Sequence, residues 1–299
     1  MRNKILLVVI VILLPISIFV VNNKNEDINN NLSDEKKEVM VSLKYNNQDL
    51  LLSLDDYLVG VVGAEMPASF NLEALKAQAI AARTFLLSNG INDVVETNST
   101  LQAYKTLDEL KDKWGNDYDT YYNKIVDAVT STKDLVMVYN NEIIKSYYYA
   151  ISNGKTEDSL AVFNEDYPYI DIVDSSFDED VNNFEVVISL TNYDFCNKLN
   201  IDCNNIVVNN IVRDESNRVS KITINNKEFS GVDIRKLLNL RSTDFDIVVD
   251  DIIKITTKGY GHGVGMSQYG ANYLANNNYN FEEILKYYYQ NIEIKNYLV

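Results

Sequence analysis

The stretch that constrains this chain most is Leu72 to Leu87, which reads Leu-Glu-Ala-Leu-Lys-Ala-Gln-Ala-Ile-Ala-Ala-Arg-Thr-Phe-Leu-Leu. At helical spacing it is apolar or small around most of its circumference, so it predicts a largely buried helix. Its only cations, Lys76 and Arg83, stand seven residues apart and share one stripe. Unpaired burial of charge is costly, so that stripe has to open to a partner acid, to water or to a ligand. Two readings stay open: a structural ion pair, with Glu73 as a partner, or the wall of a cleft that takes an anion or a sugar.

Just upstream, Ser53 is placed to cap a helix running through Tyr57-Leu58-Val59-Gly60-Val61-Val62. Pro67 forces Met66 out of helical geometry, so the helix is expected to stop near Gly63-Ala64, with Glu65 just past its end. The negative end of the helix dipole disfavours a second negative charge there and raises the carboxyl pKa. Taken alone, Glu65 reads as an ordinary surface loop acid.

Residues 258–271, Lys-Gly-Tyr-Gly-His-Gly-Val-Gly-Met-Ser-Gln-Tyr-Gly-Ala, hold five glycines. The spacing is neither a P-loop nor a dinucleotide fingerprint. Alternating glycines let bare backbone approach a ligand or pass under a packed side chain. Within the run sits His262, the sole imidazole of the chain. A lone loop histidine is commonly a structural hydrogen-bonding residue; its polar, backbone-exposing surroundings favour a site role.

Composition removes several function classes. Lys and Arg number 27 against 43 Asp and Glu, a formal charge of −16, so nucleic acid is not an expected partner. Two Cys and one His leave too few ligands for a structural zinc site. Cys196 and Cys203 are either a local disulfide or two buried thiols.

The N-terminus opens with Arg2 and Lys4 before an apolar run from Ile5 to Val21, about 17 residues, the lower edge of a bilayer span. It exits into Val-Asn-Asn-Lys rather than the small residues of a cleavage site. Residues 1–21 therefore predict a cytoplasmic stub and an uncleaved signal-anchor helix, oriented with the bulk of the chain outside. Residues 22–37 predict a flexible linker, and 38–299 a single extracytoplasmic domain.

Strand pairs are expected around Asn46-Asn47 (Val39 to Leu43 with Leu50 to Leu52) and Asn140-Asn141 (Leu135 to Tyr139 with Glu142 to Tyr149). Further β-rich stretches are Phe184 to Leu190, Asn205 to Val212, Val219 to Ile224 and Ile252 to Thr257. Ser53, Thr191, Ser230 and Asn280 each stand three residues ahead of an acid as helix caps, and Ser267 is placed to cap a helix from Gln268. Without regular β-α-β alternation the class is α+β.

Five segments together carry a resemblance. They are Ala64-Glu65-Met66-Pro67, the run from Glu73 to Thr84, Gln102-Ala103-Tyr104, the run from Ser152 to Glu157, and Gly261 to Ala271. In this order the chain resembles the stage II sporulation protein D (SpoIID) family over about residues 38 to 299. The resemblance implies a lytic transglycosylase that cuts the β-1,4 bond after N-acetylmuramic acid in peptide-stripped glycan strands, leaving 1,6-anhydro ends. It implies work in forespore engulfment beside the amidase SpoIIP and the membrane-embedded SpoIIM, from a mother-cell membrane facing the forespore.

By position, the resemblance makes Glu65 the catalytic acid. It puts Lys76, Arg83, His262, Gln268, Ser152 and Lys155 around the substrate, with the acidic excess lying away from a locally basic Lys76–Arg83 cleft. Tyr147, Tyr148, Tyr149, Tyr287, Tyr288 and Tyr289 are candidates for stacking on sugars, with packing the alternative for each. The family often carries histidine at the place of Tyr149 and a His-Tyr-Tyr-Pro-Gly where this chain has Tyr287-Tyr288-Tyr289-Gln290-Asn291. Such histidines hold a metal in some members; here neither metal nor cofactor is expected. A glycan-binding activator of an amidase is the alternative function.

Overall fold

A computed structural model describes residues 39–298, which fall within one compact unit. The expected anchor and linker, residues 1–37, lie outside the described residues. Among those described, no helix is long and apolar enough to cross a membrane. The class is mixed α+β, arranged around two hydrophobic cores.

The larger core is built on the two helices announced by the sequence. Strands β1 (Met40–Tyr45) and β2 (Gln48–Ser53) form a hairpin through Asn46-Asn47, and β3 (Val94–Asn98) joins β1 in parallel. Both asparagines have positive φ, 47° and 62°, the geometry of a two-residue type I′ turn, which asparagine tolerates. Helix α1 (Leu54–Glu65) starts at Ser53, whose side chain accepts from Asp56 N, and leads to α2 (Leu72–Leu87). On α2 pack α4 (Tyr118–Ser131) and β4 (Leu135–Tyr139), while α3 (Leu107–Trp114) packs on α1 and α4, and β5 (Glu142–Ile143) pairs with β4. Burial of α2 is as complete as its sequence requires, with Ala74, Leu75, Ala77, Ala79, Ile80, Ala81 and Ala82 at 0% exposure.

The expected strand from Glu142 to Tyr149 is broken. Its first part closes a second Asn-Asn hairpin on β4, whereas β6 (Tyr148–Tyr149) leaves and pairs in parallel with a strand of the glycine run. That exchange brings the tyrosine segment beside His262. The short helix α5 (Ser159–Phe163) follows.

The smaller core gathers β7 (Glu185–Leu190), α6 (Asn192–Leu199), β8 (Val208–Arg213), β9 (Val219–Ile224), β10 (Lys227–Ser230), α7 (Gly231–Leu238), β11 (Phe245–Val248) and β12 (Ile253–Lys258). Two antiparallel sheets, β10-β9-β8 and β11-β12-β7, enclose it, and Thr191 and Ser230 cap its helices as expected. Asn225-Asn226, with φ 49° and 61°, closes the β9–β10 hairpin in the same way as the other two pairs. Cys196 and Cys203 are joined in a disulfide, which resolves that alternative.

The chain then returns to the larger core through β13 (Met266–Ser267), α8 (Gln268–Asn276), α9 (Phe281–Tyr288) and β14 (Glu293–Asn296), the last adding to β4. Asn280 caps α9 with a full capping box, and Ser267 caps α8.

Candidate active site

Glu65 is the last residue of α1, one residue later than the sequence suggests, because Met66 still donates its N–H to Val62 O at 3.1 Å while adopting the extended geometry its proline demands. The half-buried side chain lies at the junction of two open cavities of about 360 and 400 Å3. Its Oε1 accepts from Ala103 N at 2.7 Å. Burial raises its pKa, and the bonds from Ala103 N–H and the Gln268 side chain, with the charge of Lys113, offset part of that rise. The expected direction is right, but desolvation is its largest cause.

Gln102 secures the Ala103 N–H. Its Nε2 donates to Tyr148 Oη at 2.9 Å and to Ala82 O at 3.2 Å, while its Oε1 accepts from Tyr57 Oη at 3.0 Å. A buried amide satisfied by three partners on separate elements fixes the loop that feeds Glu65. Gln268, at the start of α8, contacts Glu65 and donates to Gln78 Oε1 at 3.4 Å, so α1, α2 and α8 converge on the carboxyl.

His262 shares the first cavity with Glu65, beside Phe85, Leu101, Tyr147, Tyr148 and Phe163. Its Nδ1 accepts from Val264 N at 3.0 Å, which places the ring proton on Nε2. Burial, then Arg235 and Arg218, push its pKa down to about 3, so it is neutral at physiological pH. Its ring packs against Tyr147, Tyr149 and Phe163 at centroid distances of 6.1, 5.8 and 5.4 Å.

The glycine run shapes this wall. Gly265 has φ +77°, and a Cβ there would sit 2.0 Å from Tyr147 O. Gly265→Ala is expected to cost roughly 1–3 kcal/mol by overpacking and to displace Tyr147; an unshifted thermal midpoint would count against this role. Gly263 lies on the guanidinium of Arg218, with room for no Cβ. Arg218 in turn donates to Lys155 O at 3.1 Å and stands 4.0 Å from Glu157, whose N–H donates to Gly263 O at 2.8 Å.

Four expected substrate-binding residues lie elsewhere. Arg83 is 0% exposed; Nη1 donates to Thr132 O and Leu135 O at 2.8 and 3.2 Å, and Nη2 to Val129 O at 3.2 Å. It closes the carboxyl end of α4, where carbonyls lack helical partners, and lines no groove. Lys76 pairs with Glu73 at 2.8 Å, and Glu73 also accepts from Phe281 N, so this cation ties α2 to α9. The basic Lys76–Arg83 cleft is therefore absent. Ser152 is buried and holds its own turn, Oγ donating to Lys155 O at 2.7 Å, and exposed Lys155 donates to Glu215 O at 3.3 Å. Of the candidate tyrosines, Tyr147 and Tyr148 line the groove, whereas Tyr149, Tyr288 and Tyr289 are core residues and Tyr287 donates to Asp174 O.

Buried Asp178 supports the same region, accepting from Ser152 N at 2.7 Å and from Ser267 Oγ. Burial raises its pKa to about 7. The folded value exceeds the unfolded one, so the stability it contributes is full below about pH 4 and is lost as pH rises through 7. Asp178→Asn is expected to flatten the fall in thermal midpoint between pH 4 and 8, measured by circular dichroism.

Among the described residues, no group of three or more His, Cys, Asp or Glu side chains could hold a metal ion. Gln102 and Ala103 stand in a segment that carries the resemblance, though no role was assigned to them there, and nothing in the sequence marks Lys113 or Arg241. Ala103 acts through its backbone, and the two cations are brought in by separate lobes.

These features define a class before they define a member: an α+β scaffold whose groove is centred on one half-buried carboxyl. Residues 47–139 match the family model described as SpoIID, Stage II sporulation protein. The chain is 38% identical over 255 residues to stage II sporulation protein D of Bacillus subtilis (strain 168), covering 81% of this chain and 74% of that protein. The protein of the same name from Bacillus amyloliquefaciens matches with the same figures, 38%, 81% and 74%. A protein of Bacillus subtilis named amidase enhancer is 27% identical over 80% of this chain and 40% of its own length. The chain belongs to the stage II sporulation protein D family, a family involved in sporulation.

Proposed function

We propose that the protein is a lytic transglycosylase that cleaves the β-1,4 bond between N-acetylmuramic acid and N-acetylglucosamine in peptide-stripped glycan strands. The observation that carries this reading is the lone carboxyl. Among the described residues Glu65 is the only acid lining either cavity of the groove, whereas a two-carboxylate hydrolase needs a second within roughly 5–9.5 Å. Burial favours its protonated form, as a general acid requires. Protonated Glu65 gives its proton to the glycosidic oxygen as the C1–O bond breaks. The resulting carboxylate then takes the proton of the muramic C6 hydroxyl, whose oxygen bonds to C1, so neither water nor a protein nucleophile is consumed. Neutral His262 and Gln268 position sugar hydroxyls and the carboxyl.

On this reading the apolar run of residues 5–21 anchors the protein in the mother-cell membrane, catalytic domain outward, where it acts in engulfment with SpoIIP and SpoIIM. A second reading, a glycan-binding activator of an amidase, is favoured by the relative named amidase enhancer. Mass spectrometry of peptide-free glycan strands incubated with the full chain separates them. Anhydro ends are expected for the transglycosylase, reducing ends identify a hydrolase, and unaltered strands leave the activator.

A further inference from the structure

The groove differs on its two sides of Glu65. One side is walled by Phe85, Leu101, Tyr147 and Phe163. The other, beside Pro67 and Tyr260, carries two cations, Lys113 of the larger core and Arg241 of the smaller. Arg241 donates from Nη1 to Asn183 O at 2.8 Å, and its guanidinium lies over Tyr260, 4.6 Å from the ring centroid. Its Nε is enclosed without a hydrogen-bond partner. Lys113 donates to Gly63 O at 2.8 Å, and burial lowers its pKa. Neither makes an ion pair among the described residues, in a chain where acids outnumber Lys and Arg by 43 to 27. The acid whose charge reaches Lys113 is Glu65 itself, which burial favours in its neutral form. Two cations and that single acid line the cavity, an arrangement with positive charge to spare for an anion that arrives with the ligand.

We propose that Arg241 and Lys113 form an anion subsite for the lactyl carboxylate of a peptide-free muramic acid ring. The identity of the ring rests on the transglycosylase reading. The subsite gives the strand a direction: the muramic ring lies on the Pro67 side, and the N-acetylglucosamine beyond the scissile bond lies against the aromatic side. An attached stem peptide turns that carboxylate into a neutral amide, so the two cations distinguish stripped strands from peptide-bearing ones. The planar guanidinium suits Arg241 to the carboxylate, and the shorter reach of Lys113, held at the end of α1, adds charge near Glu65.

The test measures binding by the full chain carrying Glu65→Gln, which removes turnover. Its ligands are peptide-free glycan strands and the same strands with their carboxylates converted to amides. About tenfold tighter binding of the carboxylate form is expected, corresponding to ~1.4 kcal/mol. Added Arg241→Gln or Lys113→Gln should each reduce that preference, and Arg241→Lys should restore part of it. If either glutamine variant fails to fold, the salt dependence of the parent takes its place: the preference should shrink as ionic strength rises. Equal binding of both strands by the parent, or an undiminished preference in the folded double variant, overturns the subsite. A preference for carboxylate strands without anhydro products from the unmutated chain upholds the subsite and removes the transglycosylase. Anhydro products without the preference do the reverse.

Discussion

Replacing Glu65 with Gln is expected to lower release of anhydro-sugar ends by about 10²–10⁴-fold, the usual contribution of a general acid–base group. The fold should survive, because the amide oxygen can still accept from Ala103 N and no charge has to be desolvated. The thermal midpoint is expected to hold or rise. The wild-type pH profile checks the same assignment independently. With the carboxyl pKa raised by burial, the acid form persists above the ordinary glutamate range, and cleavage falls only as pH climbs through that raised value. Glu65→Asp shortens the side chain by one methylene, keeps the titration and should lose most of the rate by misplacement. Full activity in Glu65→Gln, scored by mass spectrometry of the digested strands, would falsify the role.

Arg83→Met is expected to produce the largest loss of stability, about 3–5 kcal/mol, the range for removing one member of a buried charged arrangement. Three carbonyls, those of Val129, Thr132 and Leu135, lose their donor together, and Asp55 loses a cation at 4.0 Å. At roughly 2–4 °C per kcal/mol the midpoint should fall by about 6–20 °C. Binding to glycan strands per folded molecule should be retained. A variant of unchanged stability that no longer binds glycan would instead return Arg83 to a cleft wall.

The contrast between these two residues shows what the sequence could convey. A proline fixes where a helix stops, so the position of Glu65 was legible to within a turn. Five capping side chains and two of three Asn-Asn hairpins were legible for the same reason, since each is local chemistry. The capping box of Thr106 and Glu109 carries the same signal and starts α3, yet it stood outside the segments read as helices. Lys76 and Arg83 share a helical stripe, but the stripe does not say what faces it. The neighbour of Arg83 is the end of α4, some fifty residues away, and only the tertiary structure supplies it. The cations that do reach the groove sit 128 residues apart on different lobes, Lys113 and Arg241, with no pattern to join them. The glycines around His262 single it out in the sequence, and it lines a cavity with Glu65, whereas its neutrality depends on burial and on Arg235 and Arg218.

Gly263 lies on Arg218 with nothing between backbone and guanidinium, and this is a contact between the two lobes behind the His262 wall. A methyl at position 263 would stand 2.6 Å from Arg218 Cζ on a backbone at φ +91°, so the arginine would have to withdraw. Its bond to Lys155 O and its place 4.0 Å from Glu157 would go with it. The seam between the lobes admits a hydrogen and nothing larger at this point, a tolerance set by a residue that lines neither cavity.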